Sequence, residues 1–157
     1  MIRVGIGYDS HRFVGGRPLI LAGQTIPHTH GLAGHSDADA VAHAVTDAIL
    51  GASGAGDIGS LFPDTDETWR NADSMRLLAM ANDAVEQRGF RVRQVDITII
   101  LERPKIGPHR PAMAAALAAV LGIAPGDVGV KAKTNEGMGF IGRGEGIVVM
   151  AVATVEG

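Results

Sequence analysis

Aspartate and histidine residues lie close together in two short stretches near the N-terminus. Asp9 and His11 are two residues apart at the end of a β-branched run, so the period of a strand would direct both side chains to the same face. His43 falls inside an alanine-rich stretch that is typical of a helix. One carboxylate and two imidazoles, with a fourth position open, form the ligand set of a catalytic zinc ion. The residue types therefore predict a zinc site at Asp9, His11 and His43.

A plainer interpretation of the same helix stays open. Asp39, His43 and Asp47 are spaced by four residues and would share one helical face, where they could form a solvated polar stripe. The neighbouring residues are mostly alanine and valine, so ionisable groups in these surroundings need a reason. Asp39 or Asp47 could instead orient a histidine through a hydrogen bond.

Composition limits the classes of function. A chain of 157 residues is expected to form one domain, residues 1–157, and its net charge of -3 provides no basic surface for nucleic acid or membranes. There is no cysteine, so a metal would be held by nitrogen and oxygen, and the chain fits a reducing cytoplasm. The first residues lead directly into a strand rather than a secretory leader, and no apolar run reaches the roughly 20 residues of a membrane helix. We expect a cytoplasmic protein without nucleic-acid or membrane partners.

The hydrophobic period and the turn residues predict a series of strands and helices. Strands are expected over 2–8, 19–21 paired with 25–26, 92–101, 128–134 and 146–155, and helices over 37–50, 73–88 and 108–121. Ser36 and Asp39 resemble a capping box for the first helix, and Gly51 is expected to end it. This order predicts an α+β sandwich with helices on one face of a mostly antiparallel sheet.

Polar and glycine-rich segments separate these elements. Residues 57–66 carry three carboxylates without a helical or strand period. This composition is typical of a turn, or of a mobile loop whose Asp57 accepts hydrogen bonds from sugar hydroxyls. Lys133, Thr134 and Glu136 lead into five glycines within residues 137–146. A lysine and a threonine beside such a turn suit phosphate, and a carboxylate suits magnesium that bridges phosphates.

Five motifs in order make the chain similar to a known family. They are Gly7-Tyr8-Asp9-Ser10-His11-Arg12-Phe13, His35-Ser36-Asp37-Ala38-Asp39, Gly56-Asp57-Ile58-Gly59, Phe62-Pro63-Asp64-Thr65-Asp66 and Gly139-Phe140-Ile141-Gly142-Arg143-Gly144-Glu145-Gly146. Together they resemble the 2-C-methyl-D-erythritol 2,4-cyclodiphosphate synthases of the non-mevalonate isoprenoid pathway.

The resemblance implies a metal-dependent lyase that assembles as a homotrimer with active sites between subunits. It implies zinc bound by Asp9, His11 and His43, and magnesium or manganese held by Glu136 between the substrate phosphates. His35 and Thr134 are implied to hold the reacting phosphates as catalytic residues. In the implied reaction, the 2-phosphate of a cytidine diphosphate ester of methylerythritol attacks the β-phosphorus and expels CMP.

The resemblance also implies the substrate-binding residues. Ser36 lies beside the phosphates, and residues 101–107 form a cytidine pocket largely through their backbone. Phe140 and Arg143 are implied to lie near the trimer axis, where a cavity can accept an isoprenoid diphosphate. At Lys133 the family often carries a small hydroxyl residue, so the lysine adds a positive charge beside the phosphates. The implied substrate-binding positions are Asp9, His11, His35, Ser36, Asp57, Ile58, Gly59, Phe62, Pro63, Asp64, Thr65, Asp66, Leu101, Glu102, Arg103, Pro104, Lys105, Ile106, Gly107, Lys133, Thr134, Asn135, Glu136, Phe140 and Arg143.

Two other functions remain possible at this point. A non-catalytic trimeric protein could bind zinc and a nucleotide, but it would not need Glu136 or the loop at Asp57. A zinc hydrolase of nucleotides would hold water at the open metal position and would need a base, for which Asp37, Asp39 or Asp57 are candidates.

Overall fold

Seven strands form a mixed five-stranded sheet and a separate two-stranded hairpin. The computed structural model describes residues 1–157. The main sheet has the order β4-β1-β7-β5-β6, and its neighbours are antiparallel except for the parallel pair β5 and β6. The strands are β1 Ile2–Gly15, β2 Leu19–Leu21, β3 Gln24–Ile26, β4 His30–Leu32, β5 Arg91–Ile100, β6 Val128–Lys133 and β7 Gly146–Glu156. The predicted α+β class is confirmed, with the parallel pair as the departure from an antiparallel sheet.

Five helices complete the fold. They are α1 Ala40–Ser53, α2 Ile58–Leu61, α3 Ser74–Gln87, α4 Arg110–Leu121 and α5 Gly139–Gly142. On β5 the predicted alternation is confirmed, since Val95, Ile97 and Ile99 are all fully buried in the core. The predicted start of α3 and the predicted end of α4 agree with the structure. Asp73 caps α3, and Gly122 ends α4 in a left-handed conformation. No helix is both long and apolar enough to cross a membrane.

Helix α1 lies directly on β1 because two glycines of the strand face it. A Cβ atom at Gly7 would lie 1.7 Å from the carbonyl oxygen of Ala44, and one at Gly5 would lie 2.1 Å from that of Ala48. Small residues on both elements therefore permit backbone contact between helix and strand. This contact places His43 of α1 beside the next residues of β1.

The predicted start and end of α1 are both wrong by about one turn. Ala38 adopts a left-handed backbone with φ of 58°, which no helix continues through, so the helix begins at Ala40. Its cap is Asp39, whose carboxylate accepts from the Ala42 N–H, and Ser36 does not form the predicted capping box. The helix then passes through Gly51 and ends at Gly54, with φ of 71°.

Further elements occupy segments that the sequence pattern leaves without regular structure. The segment 57–66 contains α2, capped by reciprocal hydrogen bonds between Asp57 and Ser60. The glycine-rich segment contains the one-turn helix α5, and β1 continues seven residues beyond its predicted end to pair with β7 and β4. One-turn helices are too short to show a period in sequence, which explains why they were missed.

The face of the main sheet opposite α1 carries exposed apolar side chains. We define this outer sheet face by Ile2, Val4, Ile6, Tyr8, Met150 and Val152, which are 40–69% exposed. They alternate along β1 and β7 with residues that face the helices, as the strand period requires. A patch of this kind is typical of an interaction surface.

Candidate active site

The three predicted metal ligands converge at one point. The Oδ2 atom of Asp9 lies 2.8 Å from Nε2 of His11 and 3.2 Å from Nδ1 of His43. The two imidazole nitrogens are 3.3 Å apart. The side chains are only 13–25% exposed, so water competes little for them. Asp9 and His11 share one face of β1 as predicted, and α1 supplies His43.

Both histidines are held by hydrogen bonds at the ring nitrogen that points away from this centre. Nδ1 of His11 lies 2.7 Å from the carbonyl oxygen of Ala33, and this acceptor requires an N–H at Nδ1. Nε2 of His43 lies 2.8 Å from the hydroxyl oxygen of Ser74. When the His11 ring is neutral, its Nε2, which faces the centre, is then left with a lone pair.

This donor set fits a zinc ion. The inner nitrogens of two neutral imidazoles and a carboxylate oxygen repel one another unless a proton or a metal cation lies among them. Ligand atoms about 2.0–2.1 Å from a tetrahedral zinc ion are about 3.3 Å apart, close to the separations in this cluster. Asp9, His11 and His43 therefore form a candidate metal site, and the interpretation of His43 as part of a solvated stripe is wrong.

Asp9 and His11 each stabilise the charged form of the other. Burial opposes ionisation of Asp9, but its hydrogen bonds to His11 and His43 outweigh burial and lower the pKa of Asp9. Burial also opposes the charged form of His11, yet the neighbouring Asp9 carboxylate raises the pKa of His11. These shifts favour a positive charge beside the Asp9 carboxylate, which a metal cation would also supply.

A cavity of about 440 Å³ opens beside the metal ligands. We call it the metal cavity. It is lined by His11, Gly34, His35, Ser36, His43, Ile58, Gly59, Phe62, Pro63, Asp64, Trp69 and Leu77. Most of these residues belong to the motifs identified in the sequence, whereas Gly34, Trp69 and Leu77 were not predicted. The ring of Trp69 packs edge-on against Phe62, with ring centroids 5.0 Å apart.

Three residues of the segment 57–66 that were predicted to bind substrate do not line the metal cavity. The exposed carboxylate of Asp57 accepts from the Ser60 N–H, and this hydrogen bond lowers the pKa of Asp57. Asp66 accepts from the Thr68 N–H, which lowers the pKa of Asp66 in the same way, and its carbonyl oxygen lies 3.2 Å from Nε2 of His35. Thr65 is exposed between them. Within one chain, Asp57 and Asp66 therefore cap short helical turns beside the cavity.

Asp39 and Asp47 do not orient a histidine side chain. The fully buried carboxylate of Asp39 accepts N–H donors from Ala22, Gly23 and Ala42, and so joins the β2–β3 turn to α1. Asp47 accepts from the Ile58 N–H at 2.7 Å, which fastens α2 to α1. Burial raises the pKa of both carboxyls, to about 6 for Asp39.

A second cavity of about 240 Å³ lies at the end of β6, and we call it the β6 cavity. It is lined by Leu101, Glu102, Pro104, Lys105, Ile106, Gly107, Arg110, Ala132, Lys133 and Thr134. The segment 101–107 and Lys133 with Thr134 are thus brought together as predicted, except for Arg103, which faces a different cavity beside Arg143. The two cavities share no residue, so one chain does not bring His35 and Thr134 to the same cavity.

The turn that follows β6 is fixed by a carboxylate. Oε1 of Glu102 accepts from the backbone N–H groups of Asn135 and Gly137, at 2.9 and 3.3 Å. Between them Glu136 has a left-handed backbone with φ of 53° and an exposed side chain. Phe140 lies in a third cavity with Ser10, His11 and Arg12.

The family model of the YgbB family matches residues 2–156. The chain belongs to this family. A protein of Gemmatimonas aurantiaca described as 2-C-methyl-D-erythritol 2,4-cyclodiphosphate synthase is 56% identical over 155 residues, which cover 99% of this chain and 93% of that protein. The resemblance identified from the motifs is confirmed.

Solved structures agree with the family and with the fold. A 2C-methyl-D-erythritol-2,4-cyclodiphosphate synthase in a CDP-bound form superposes with a TM-score of 0.90 at 43% identity, covering 98% of this chain and all of that one. The bifunctional IspDF of Campylobacter jejuni gives a TM-score of 0.95 at 46% identity over 99% of this chain. The chain spans only 42% of that longer protein.

Proposed function

We propose that this protein converts 4-diphosphocytidyl-2-C-methyl-D-erythritol 2-phosphate into 2-C-methyl-D-erythritol 2,4-cyclodiphosphate and CMP, as a single cytoplasmic lyase domain. The observation that carries the proposal is the convergence of Asp9, His11 and His43 at the wall of the metal cavity. This geometry occurs in a chain that matches the family model along nearly its whole length. Relatives that share this length are described as synthases of the cyclic product.

The reaction needs positioning more than a side-chain base. An oxygen of the 2-phosphate, already an anion, forms a bond to the β-phosphorus, and the bond between that phosphorus and the bridging oxygen of CMP breaks. No proton has to be removed from the nucleophile, so the protein contributes alignment and charge stabilisation. His35 and Thr134 would donate hydrogen bonds to the reacting phosphates. Zinc at Asp9, His11 and His43, with magnesium or manganese at Glu136, would neutralise charge on the phosphate oxygens.

The remaining substrate contacts follow the two cavities. The segment 101–107 would hold the cytosine base and Lys133 the phosphates at the β6 cavity. A relative described in a CDP-bound form supports a cytidine ligand for this family. Ile58, Gly59 and the residues around Phe62 would hold the methylerythritol part at the metal cavity, with Asp57 at its edge and Ser36 beside the phosphates. A substrate with its base in one cavity and its phosphates at the metal needs both cavities side by side.

A homotrimer would bring these cavities together across subunits. The metal cavity and the β6 cavity share no residue within one chain, which leaves each half-site to be completed by a neighbour. The outer sheet face offers the apolar surface that such an assembly would bury. The exposed Phe140 and Arg143 would then lie near the threefold axis, where an isoprenoid diphosphate could bind.

Phosphorus NMR of the purified protein tests this function. With the phosphorylated cytidine-diphosphate methylerythritol, zinc and magnesium, we expect two coupled cyclic diphosphate signals together with CMP. The variant His43→Ala should lose this product, whereas His30→Ala, an exposed histidine of β4, should retain it. CMP with a linear product would identify a hydrolase instead. Bound zinc and nucleotide without any turnover would identify a binding protein.

A further inference from the structure

Ser74, the first residue of α3, is fully buried against the metal site. Its hydroxyl oxygen lies 2.8 Å from Nε2 of His43, on the side of the ring opposite the metal centre. The same hydroxyl contacts Oδ1 of Asp37, and the Ser74 N–H donates to Oδ2 of that carboxylate at 3.1 Å. Asp37, Ser74 and His43 thus form a continuous hydrogen-bonded chain.

We propose that Asp37 and Ser74 are positioning residues that hold His43 in the tautomer required for metal binding. A carboxylate only accepts hydrogen bonds, so Asp37 directs the Ser74 O–H toward itself. The hydroxyl oxygen then presents its lone pairs to His43, which must carry its proton on Nε2. Nδ1, which lies 3.2 Å from Oδ2 of Asp9, is then left with a lone pair for a metal ion held among Asp9, His11 and His43.

The backbone keeps Asp37 in place for this role. The Asp37 N–H donates to the Ala72 carbonyl oxygen at 3.1 Å, and the Asn71 N–H donates to the His35 carbonyl oxygen at 2.8 Å. The segment before α1 therefore runs beside the segment before α3. The carboxylate and the hydroxyl meet because these two segments are joined, although their residues are 37 positions apart.

The two histidines of the site are held in different ways. His11 donates to a backbone carbonyl, which no substitution removes. His43 depends on a side chain, so its tautomer can be changed by one substitution. Ser36 is the competing partner, because its hydroxyl lies 3.1 Å from Nε2 of His43. Ser36 has no carboxylate to orient it, and it accepts from the Ala38 N–H at 3.3 Å.

The inference rests on the proposed metal site but on no step of the proposed reaction. Zinc affinity is the direct measurement, by competition with a chromophoric chelator on metal-free protein. Groups that orient a metal-bound histidine typically contribute 10–100-fold to affinity. We expect Ser74→Ala to weaken zinc binding by roughly 10–100-fold and Asp37→Asn to weaken it by roughly tenfold. The matched control is Ser53→Ala, a buried serine of α1 that bonds only to its own helix, which should bind zinc like wild type.

Histidine tautomers give a readout that a general loss of packing would not move. In zinc-bound wild-type protein at pH 8, nitrogen-15 NMR should show the proton of His43 on Nε2, and in Ser74→Ala a mixture of tautomers. A proton on Nδ1 in wild type would overturn the proposal. So would wild-type zinc affinity in a folded Ser74→Ala variant, or an equal loss in Ser36→Ala. If wild type binds zinc but forms no cyclic product, the proposed reaction fails while this inference stands.

Discussion

Each histidine of the metal site is fixed at its outer ring nitrogen by a different part of the chain. His11 is fixed by a backbone carbonyl and His43 by a serine hydroxyl, while Asp9 bridges both rings. The three ligands could be predicted from their residue types and from the strand period. Ser74 could not, because a serine after an aspartate at a helix start looks only like capping chemistry. Its contact with His43 depends on tertiary structure across 31 residues.

A buried carboxyl should make the stability of the protein depend on pH. Burial raises the pKa of Asp39 to about 6, against 3.8 when it is exposed in the unfolded chain. The folded state then holds the proton more strongly, so the free energy of unfolding should fall as pH rises from about 4 to about 6. A shift of this size corresponds to up to about 3 kcal/mol.

Asp39→Asn tests this dependence, because asparagine does not titrate in that range. Urea unfolding of both proteins in chelator, at steps from pH 4 to pH 8, gives the difference in unfolding free energy. We expect wild type to lose stability relative to the variant across the window and the difference to be constant above it. Parallel pH curves would show that Asp39 does not titrate there.

At the scale of elements, the contact between α1 and β1 sets the position of the metal site. The α+β class, β5 and the end of α3 could be predicted from the period and the turn residues. The start of α1 could not, since a buried aspartate outweighs the local capping pattern at Ser36. The reason for glycine at positions 5 and 7 is apparent only from the structure, in which α1 packs against both of them.

Gly7→Ala should disturb both stability and metal binding. The added Cβ would lie 1.7 Å from the Ala44 carbonyl, so α1 must move away from β1 and carry His43 with it. We expect a loss of at least about 2 kcal/mol in urea unfolding and a clear loss of zinc affinity. Gly15→Ala is the matched control on the same strand, because a Cβ there meets nothing within 4 Å. Equal stability of the two variants would contradict this account.

The turn after β6 should depend on Glu102. Glu102→Ala removes the acceptor for two backbone N–H groups that flank Glu136, at a cost of about 1.5–3 kcal/mol to the ordered turn. We expect weaker binding of Mn²⁺ in the presence of CDP, measured by electron paramagnetic resonance. Glu102→Gln should retain binding, since one oxygen accepts both bonds, and Glu86→Ala on α3 should have no effect. Unchanged Mn²⁺ binding in Glu102→Ala would show that the conformation of this turn does not affect metal binding.

For the whole molecule, the outer sheet face is the surface expected to drive assembly. The strand period predicts alternating side chains on β1, but the sequence does not tell which of the two faces meets the helices and which faces outward. In the structure Ile2, Val4 and Ile6 face outward, because Gly5 and Gly7 on the other face of β1 pack against α1.

A charge on this face should dissociate the proposed trimer. Ile6 is 67% exposed in one chain, and burying a lysine there without a partner would be costly. We expect Ile6→Lys to sediment as a folded monomer and to lose cyclisation, because each active site would be incomplete. Met80→Lys, on an exposed position of α3, should remain assembled and active. A trimeric Ile6→Lys protein would exclude this face as the interface.

Tryptophan and tyrosine each occur once in the chain, and they lie at different places. Trp69 packs on Phe62 in the wall of the metal cavity, whereas Tyr8 is 55% exposed on the outer sheet face. Indole emission excited at long wavelength therefore comes from the cavity alone, and tyrosine absorbance responds to the solvent at the outer face. The native protein thus carries an optical reporter at the metal cavity and a second chromophore on the face proposed to be buried in the trimer, without any added label.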